Sequence, residues 1–389
     1  MVAKKRVKTK KTQVPKKKSV KKKPRQGKAH KKVSSQNGEG KTSDSKFTSF
    51  HVKLNSEYDG LDSDEMGKLI DSFVKKVDGI KKEIRKVVIG QDKVLSDLLV
   101  CLLCEGSVLL EGVPGIAKTL IMNSLAASVG CSSKRIQFTA DLLPTDITGL
   151  VAYSRQKGFF VVKGPVFANF VLADEINRAP PKVQSALIEV MQEKQVTIGK
   201  ETFHMDRPFL ILATENPLEN RGVYKLPEAQ IDRFFFKILV GYPTTKEEEA
   251  IMDTNVSYRK FEEYNIRPVV SPEEIIRMQE LVKRIFVHSK IKTYIAEIVK
   301  YTRPDKQNDL KVVEKYVSWG ASPRAAINLY LAARANALLD NRSFVIPQDV
   351  KDIAYNVLRH RILLNYQGQI DNIKTEDIVS EILKRVKVP

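Results

Sequence analysis

Apolar and polar positions follow two different periods along this chain, and the change of period divides it. Met66, Leu69, Ile70 and Phe73 recur at helical spacing, so the folded part is expected to begin within Leu61–Lys68. A second helix, about Gly90–Glu105, follows the short apolar run Val87–Ile89. From Ser107 onward, short apolar runs alternate with helical stretches. SVLLE (107–111), RIQFT (135–139), NFVLADE (169–175), FLILAT (209–214) and FFFKILV (234–240) read as strands. Helices are predicted from Lys118 to about Val129 and over Pro181–Glu193. This alternation predicts a mainly parallel sheet covered on both faces, the α/β class. Two hairpin-like inserts, 150–162 and 195–205, interrupt it, each with alternating apolar residues around a turn containing Lys and Gly.

After about Pro243 the strands stop. The segment 271–286 has Ser as N-cap, Pro in the first turn and two acids facing the helix N-terminus. The Ser-Pro start recurs at 322–340, where Ile327, Leu331 and Leu338 are read as one apolar stripe, and a further helix is predicted over 347–362. The organisation expected is a low-complexity segment over 1–48, an α/β core over 49–243 and a smaller all-α domain over 244–389. No internal repeat is visible.

Composition changes this picture in one respect. The chain has 389 residues, 66 Lys+Arg, 46 Asp+Glu and a net charge of +20. Residues 1–50 hold 18 of the basic groups and only two acids, Glu39 and Asp44, which makes +16 and leaves +4 for the rest. The basic character therefore belongs to a Lys-rich tail. That tail has a single aromatic residue, Phe47, and too little apolar surface to offset the entropy of ordering, so residues 1–48 are expected to be disordered. Such a tail suits nonspecific nucleic-acid contact, or it serves as a solubilising segment with no dedicated partner.

Three cysteines, Cys101, Cys104 and Cys131, cannot make a disulfide framework, and the Cys101–Cys104 spacing lacks the further ligands of a zinc site. Buried small hydrophobes are the better reading of that pair. The five histidines, His30, His51, His204, His288 and His360, show no ligand spacing. No apolar run reaches the ~18 residues of a membrane span, and the lysine-rich start lacks the apolar stretch of a secretory leader. A soluble, cytoplasmic protein is expected.

The chemistry concentrates at the ends of the predicted strands. Gly112-Val113-Pro114-Gly115-Ile116-Ala117-Lys118-Thr119 lies between a strand and a helix, the context a phosphate-binding loop requires. Glycines let backbone N–H groups turn toward phosphates, and the helix N-terminus adds a positive dipole end. Lys118 reaches the β/γ-phosphates and the Thr119 hydroxyl joins a Mg²⁺ shell. Ala117 stands where the usual pattern has glycine, at a cost if that position needs a positive φ. Four apolar residues, Phe170–Ala173, lead into Asp174 and Glu175 on a later strand. There Asp174 would hold Mg²⁺, and Glu175, directed across the cleft, would orient and deprotonate the attacking water.

In order along the chain, GVPGIAKT, FVLADEINRAPPKVQSALIEVMQE, ILATENP, LPEAQIDRF and SPRA resemble the motifs of the MoxR family of AAA+ ATPases. With the sequence between them they span about residues 65–385. The resemblance implies a P-loop AAA+ core with hairpin inserts, followed by a helical lid that binds and hydrolyses ATP with Mg²⁺. Alanine before the P-loop lysine is usual in that family. Asn216 then resembles sensor 1, which holds the lytic water. Arg233 resembles an arginine finger acting on ATP bound by the neighbouring subunit, and Arg324 resembles sensor 2, reaching the γ-phosphate from the lid. Family members often carry Gln where Glu215 stands. Without the resemblance, Arg233 and Asn216 read equally as surface and turn residues, and Arg324 opposes its helix dipole unless an acid or phosphate lies near.

The resemblance further implies a homo-hexamer that remodels or activates protein clients, often a partner with a von Willebrand factor A domain. A nucleic-acid motor of the MCM helicase clade, using the hairpins and tail as contacts, is the alternative; Lys157, Lys194 and Lys200 on the hairpins are read either as substrate contacts or as solvated turn charges. A nucleotide switch without turnover is disfavoured, because a switch alone needs no lytic machinery.

Overall fold

A computed structural model describes residues 63–112, 115, 117–217, 222–254, 261–305 and 309–389. Helix α1 (Ser63–Ile84) begins with Asp64 and Glu65 and ends with Lys81 and Lys82, each complementing its end of the helix dipole. It buries Ile70, Phe73, Val77, Ile80 and Ile84, spaced alternately three and four residues apart. Helix α2 (Asp92–Leu103) is shorter than the expected Gly90–Glu105, because Gly90 and Glu105 both take positive φ. It is apolar nearly all round and lies buried.

Next come β1 (Val108–Gly112), α3 (Lys118–Ser128), β2 (Ser133–Gln137), α4 (Pro144–Thr148), the ribbon strands β3 (Gly149–Ser154) and β4 (Gly158–Lys163), and β5 (Phe170–Asp174). They are followed by α5 (Pro181–Glu193), the second ribbon β6 (Gln195–Ile198) and β7 (Glu201–His204), β8 (Leu210–Glu215), α6 (Glu228–Ile231) and β9 (Phe236–Val240). The main sheet has five strands in the order β2-β5-β8-β1-β9, all neighbours parallel. Alternate residues of each strand face opposite sides. Val108, Leu110, Leu172, Leu212 and Ile238 enter one core, shared with α1, α2, α3 and the C-terminal helices. Leu109, Val171, Ala173, Ile211 and Ala213 enter the other, covered by α5 through Val183, Leu187 and Met191. Because the strands are parallel, Gln137, Asp174, Glu215 and Gly112 all arrive at the same sheet edge.

The remaining helices are α7 (Thr245–Thr254), α8 (Pro272–Val282), α9 (Ser289–Tyr301), α10 (Lys311–Tyr316), α11 (Pro323–Leu339), α12 (Pro347–Leu358), α13 (Tyr366–Ile370) and α14 (Thr375–Arg385). The expected cap of α8 is present: Ser271 Oγ accepts from the Glu274 N–H, and Glu274 accepts from the Ser271 N–H at 2.9 Å. Two expectations change. The lid carries one short antiparallel ribbon, β10 (Val317–Trp319) with β11 (Leu363–Leu364), too short for any periodicity to announce. The stripe assigned to α11 is wrong at Ile327, which is 58% exposed. The buried face of α11 is instead rich in alanine (Ala325, Ala332, Ala333) around Leu329, which lets α12 approach closely. Among the described residues, no helix is long and apolar enough to cross a membrane.

Candidate active site

Gly112 ends β1, and Ala117 caps α3 with φ 58° and ψ 25°. The position does need a left-handed backbone, so alanine there carries a cost of about 1–2 kcal/mol that glycine would not. Gly115 likewise takes φ 85°, while Val113, Pro114 and Ile116 lie outside the described residues. Lys118 Nζ donates to the Gly112 carbonyl at 2.6 Å and to the Glu215 carbonyl at 3.4 Å. Burial lowers its pKa, opposed by the negative charges of Asp174, Glu175 and Glu111. The Lys118 ammonium thus sits on backbone carbonyls and forms no ion pair with these acids, which leaves it placed to meet phosphate. Thr119 follows on the first turn of α3.

Asp174 ends β5 between β2 and β8. Its Oδ1 accepts from Thr214 Oγ1 at 2.6 Å, and its Oδ2 accepts from Arg135 Nη2 at 2.6 Å. Thr214 Oγ1 also accepts the Glu175 N–H at 2.9 Å, so one buried hydroxyl fixes both acids. Glu175 itself adopts φ 57° and ψ 51°. Its carboxylate does not point across the cleft as expected. It accepts from Gln137 Nε2 at 2.7 Å and pairs with Arg178 Nε at 3.1 Å, on the β2 side of the sheet and away from β1. Two donors on that side, the neutral Gln137 amide and the Arg178 guanidinium, give the reason.

Asn216, buried, follows directly on β8 at this same edge. Glu215 lies opposite Glu111 in the β1–β8 register. Burial raises its pKa and Glu111 adds to the shift, while Lys237 opposes it.

Arg233 and Arg324 stand elsewhere. The Phe235 N–H donates to the Ser107 carbonyl at 2.8 Å, which puts Arg233 before the first residues of β9 and β1. A strand advances about 3.3 Å per residue, so the length of β1 separates this edge from the phosphate loop by roughly 15 Å, too far for a side chain. Both arginines line one cleft of about 310 Å³, together with Glu105, Ser107 and Gln192. Arg324 is therefore on the Arg233 side, not beside the loop of its own chain.

Asp232 organises that edge, although no motif or spacing along the chain singles it out. Its carboxylate accepts from Arg324 Nη1 at 3.1 Å, from Ser322 Oγ at 3.1 Å and from Arg361 Nε at 2.9 Å. It is the acid that makes an arginine tolerable near the start of α11. Arg361 is buried, which brings its pKa down to about 10 against the pull of Asp232. Its Nη2 further donates to the Asp232 and Phe234 carbonyls at 2.9 and 2.6 Å.

Of the hairpin lysines, Lys194 is bound to Glu105 at 2.6 Å at the base of β6, and Lys157 lies over the Phe160 ring at 5.9 Å. Lys200 is exposed at the β6–β7 turn. Cys101 is buried and its thiol pKa is raised by burial, and no group of metal-ligating residues occurs among the described residues. The Lys-rich tail lies outside the described residues.

Residues 107–236 match the ATPase family associated with various cellular activities (AAA), and residues 310–382 match the AAA lid domain. The chain is 47% identical to the chaperone MoxR1 of Mycobacterium tuberculosis over 79% of this chain and 81% of the relative. It is 42% identical to the uncharacterized protein YeaC of Bacillus subtilis over 79% of this chain and 93% of that one. A solved structure, a putative ATPase from Cytophaga hutchinsonii, superposes with a TM-score of 0.78 at 44% identity, covering 84% of this chain and 98% of that chain.

Proposed function

The chain belongs to the MoxR family of AAA ATPases, and from that membership we propose that it hydrolyses ATP at a site shared between two copies in a homo-hexameric ring. Residues 49–243 are the nucleotide-binding core and 244–389 the lid. The observation that carries the reading is the separation of the candidate groups onto opposite sheet edges. Lys118, Thr119, Asp174, Glu175 and Asn216 cluster at the carboxyl ends of the strands, and Arg233 with Arg324 at the other. Neither arginine reaches the loop of its own chain, whereas a head-to-tail ring brings one edge of each copy against the opposite edge of the next.

In this reading the phosphate loop and Lys118 bind the triphosphate. Thr119 and Asp174 would hold Mg²⁺, which supplies charge neutralisation on the phosphate oxygens. Glu175 leaves Gln137, orients a water and takes its proton, with Asn216 holding the same water. Arg233 and Arg324 of the next copy neutralise charge growing on the γ-phosphoryl group, a contribution of roughly 10³–10⁵ in rate for finger arginines. Turnover is coupled to remodelling or activating a protein client in the cytoplasm. The chaperone name of the mycobacterial relative supports that use. The resemblance points to a client with a von Willebrand factor A domain, and co-purification with the ATP-trapped Glu175→Gln form would identify it.

Specific ATPase activity measured against protein concentration tests the reading. Activity per chain should rise as copies associate. Full activity in a dilute, monomeric sample would overturn it.

One observation favours contact with nucleic acid as a second use. The β3–β4 ribbon exposes Tyr153 and Phe159 and carries Arg155, Lys157 and Lys163 with no acid. ATPase stimulation by single-stranded DNA at low salt in a chain lacking residues 1–48 would support that use, and its absence would dismiss it.

A further inference from the structure

Trp319, the single tryptophan of the chain, is 70% exposed. Its backbone is nevertheless held firmly. Ser318 Oγ donates to the Leu363 carbonyl at 3.0 Å, and Trp319 pairs with Leu363 in the lid ribbon. Gly320 packs so closely on the Thr302 backbone that a Cβ would fall 2.4 Å from its carbonyl oxygen. The Ala321 N–H then donates to Thr302 Oγ1 at 2.9 Å, and Arg303 Nε donates to the Ala321 carbonyl at 3.1 Å. A large apolar side chain is thus displayed to solvent from a clamped segment, the opposite of a tryptophan on a loose loop.

Its surroundings lead directly to the arginine edge. Trp319, Gly320, Ser322, Asp232, His360 and Leu363 line one cleft of about 400 Å³. Asp232 and Ser322 adjoin Arg233 and Arg324 in the chain.

We propose that Trp319 is the seat on the lid for a neighbouring copy of this chain. The inference rests on the shared-site reading and gives it an anchor. A copy that presents its phosphate loop to Arg233 and Arg324 must come up against the surface that leads into Ser322. Area agrees with this: an aromatic side chain buries about 150–250 Å², so Trp319 alone supplies a sizeable share of the ~800 Å² that each partner of a stable interface contributes. A rigid aromatic anchor also loses little side-chain entropy on docking.

Because Trp319 is the only tryptophan, its emission reports this surface alone. The test uses the full chain in the Glu175→Gln form with ATP, followed by tryptophan emission and by sedimentation across one dilution series. The expected result is a blue shift of emission with the same concentration midpoint as assembly. Trp319→Ala should raise the assembly midpoint about tenfold or more, and Trp319→Phe should raise it less. Both variants should keep the wild-type melting temperature, since the side chain is exposed. Assembly with unchanged emission, or assembly of Trp319→Ala at the wild-type midpoint, overturns the seat and leaves the shared site standing. A chain that never assembles yet hydrolyses ATP overturns both.

Discussion

The Gln137 side-chain amide donates to the Glu175 carboxylate at 2.7 Å, and together with Arg178 it holds the candidate general base on the far side of Asp174 from the phosphate loop. In the proposed mechanism, Glu175 must leave both partners before it can meet a water at a γ-phosphate. A charge-assisted hydrogen bond of this kind contributes about 1.5–3 kcal/mol. Arg178 remains after Gln137 is removed, so Gln137→Leu is expected to raise the basal ATPase rate by about two- to tenfold rather than more. Steady-state turnover at saturating ATP checks this. A rate at or below wild type would show that the Gln137 contact does not restrain Glu175.

Asp232 joins the start of β9 to the lid through Ser322, Arg324 and the buried Arg361. Removing it leaves the Arg361 guanidinium buried without its counter-charge, although carbonyl acceptors remain. Asp232→Ala is expected to lower the free energy of unfolding by about 2–4 kcal/mol, and Asp232→Asn by less. Urea denaturation followed by circular dichroism measures both. A loss below about 0.5 kcal/mol would mean the backbone carbonyls alone hold Arg361.

His360 is buried against the Phe234 carbonyl, and its pKa lies well below the usual 6.5 because of burial and the adjacent charge of Arg361, then Lys237 and Arg359. In the unfolded chain it takes a proton near pH 6.5, while in the folded chain it stays neutral. The unfolded state therefore binds more protons below that pH. Stability from this group is intact above about pH 6.5 and falls as pH drops, by up to about 1.4 kcal/mol per pH unit until the folded pKa is reached. His360→Gln should flatten that slope between pH 6.5 and 5. An unchanged slope would assign the acid sensitivity to other groups.

Much of this arrangement is legible in the sequence because it depends on local pattern. The sheet strands were readable from apolar runs, their edges to within about two residues. The placement of 112–119 between β1 and α3, and of Asp174–Glu175 at the end of β5, was readable because glycines and paired acids at strand ends are uncommon. Asp232 was not, because its partners lie 90, 92 and 129 residues away and no spacing connects them. Gln137 looked like one polar residue in a strand, and only the β2–β5 register brings it beside Glu175. The Ile327 stripe failed because large side chains were taken to mark the buried face of α11, where close helix packing selects alanine instead.

The shared site is tested most directly by mixing two inactive chains. Glu175→Gln retains Arg233 but lacks the base, and Arg233→Ala retains the base but lacks the finger. If each site is built from two copies, an equimolar mixture should recover up to about a quarter of the wild-type ATPase rate, because random assembly joins the two intact edges at about one seam in four. If all the groups that cut ATP came from one chain, the mixture would stay as inactive as its components at every ratio.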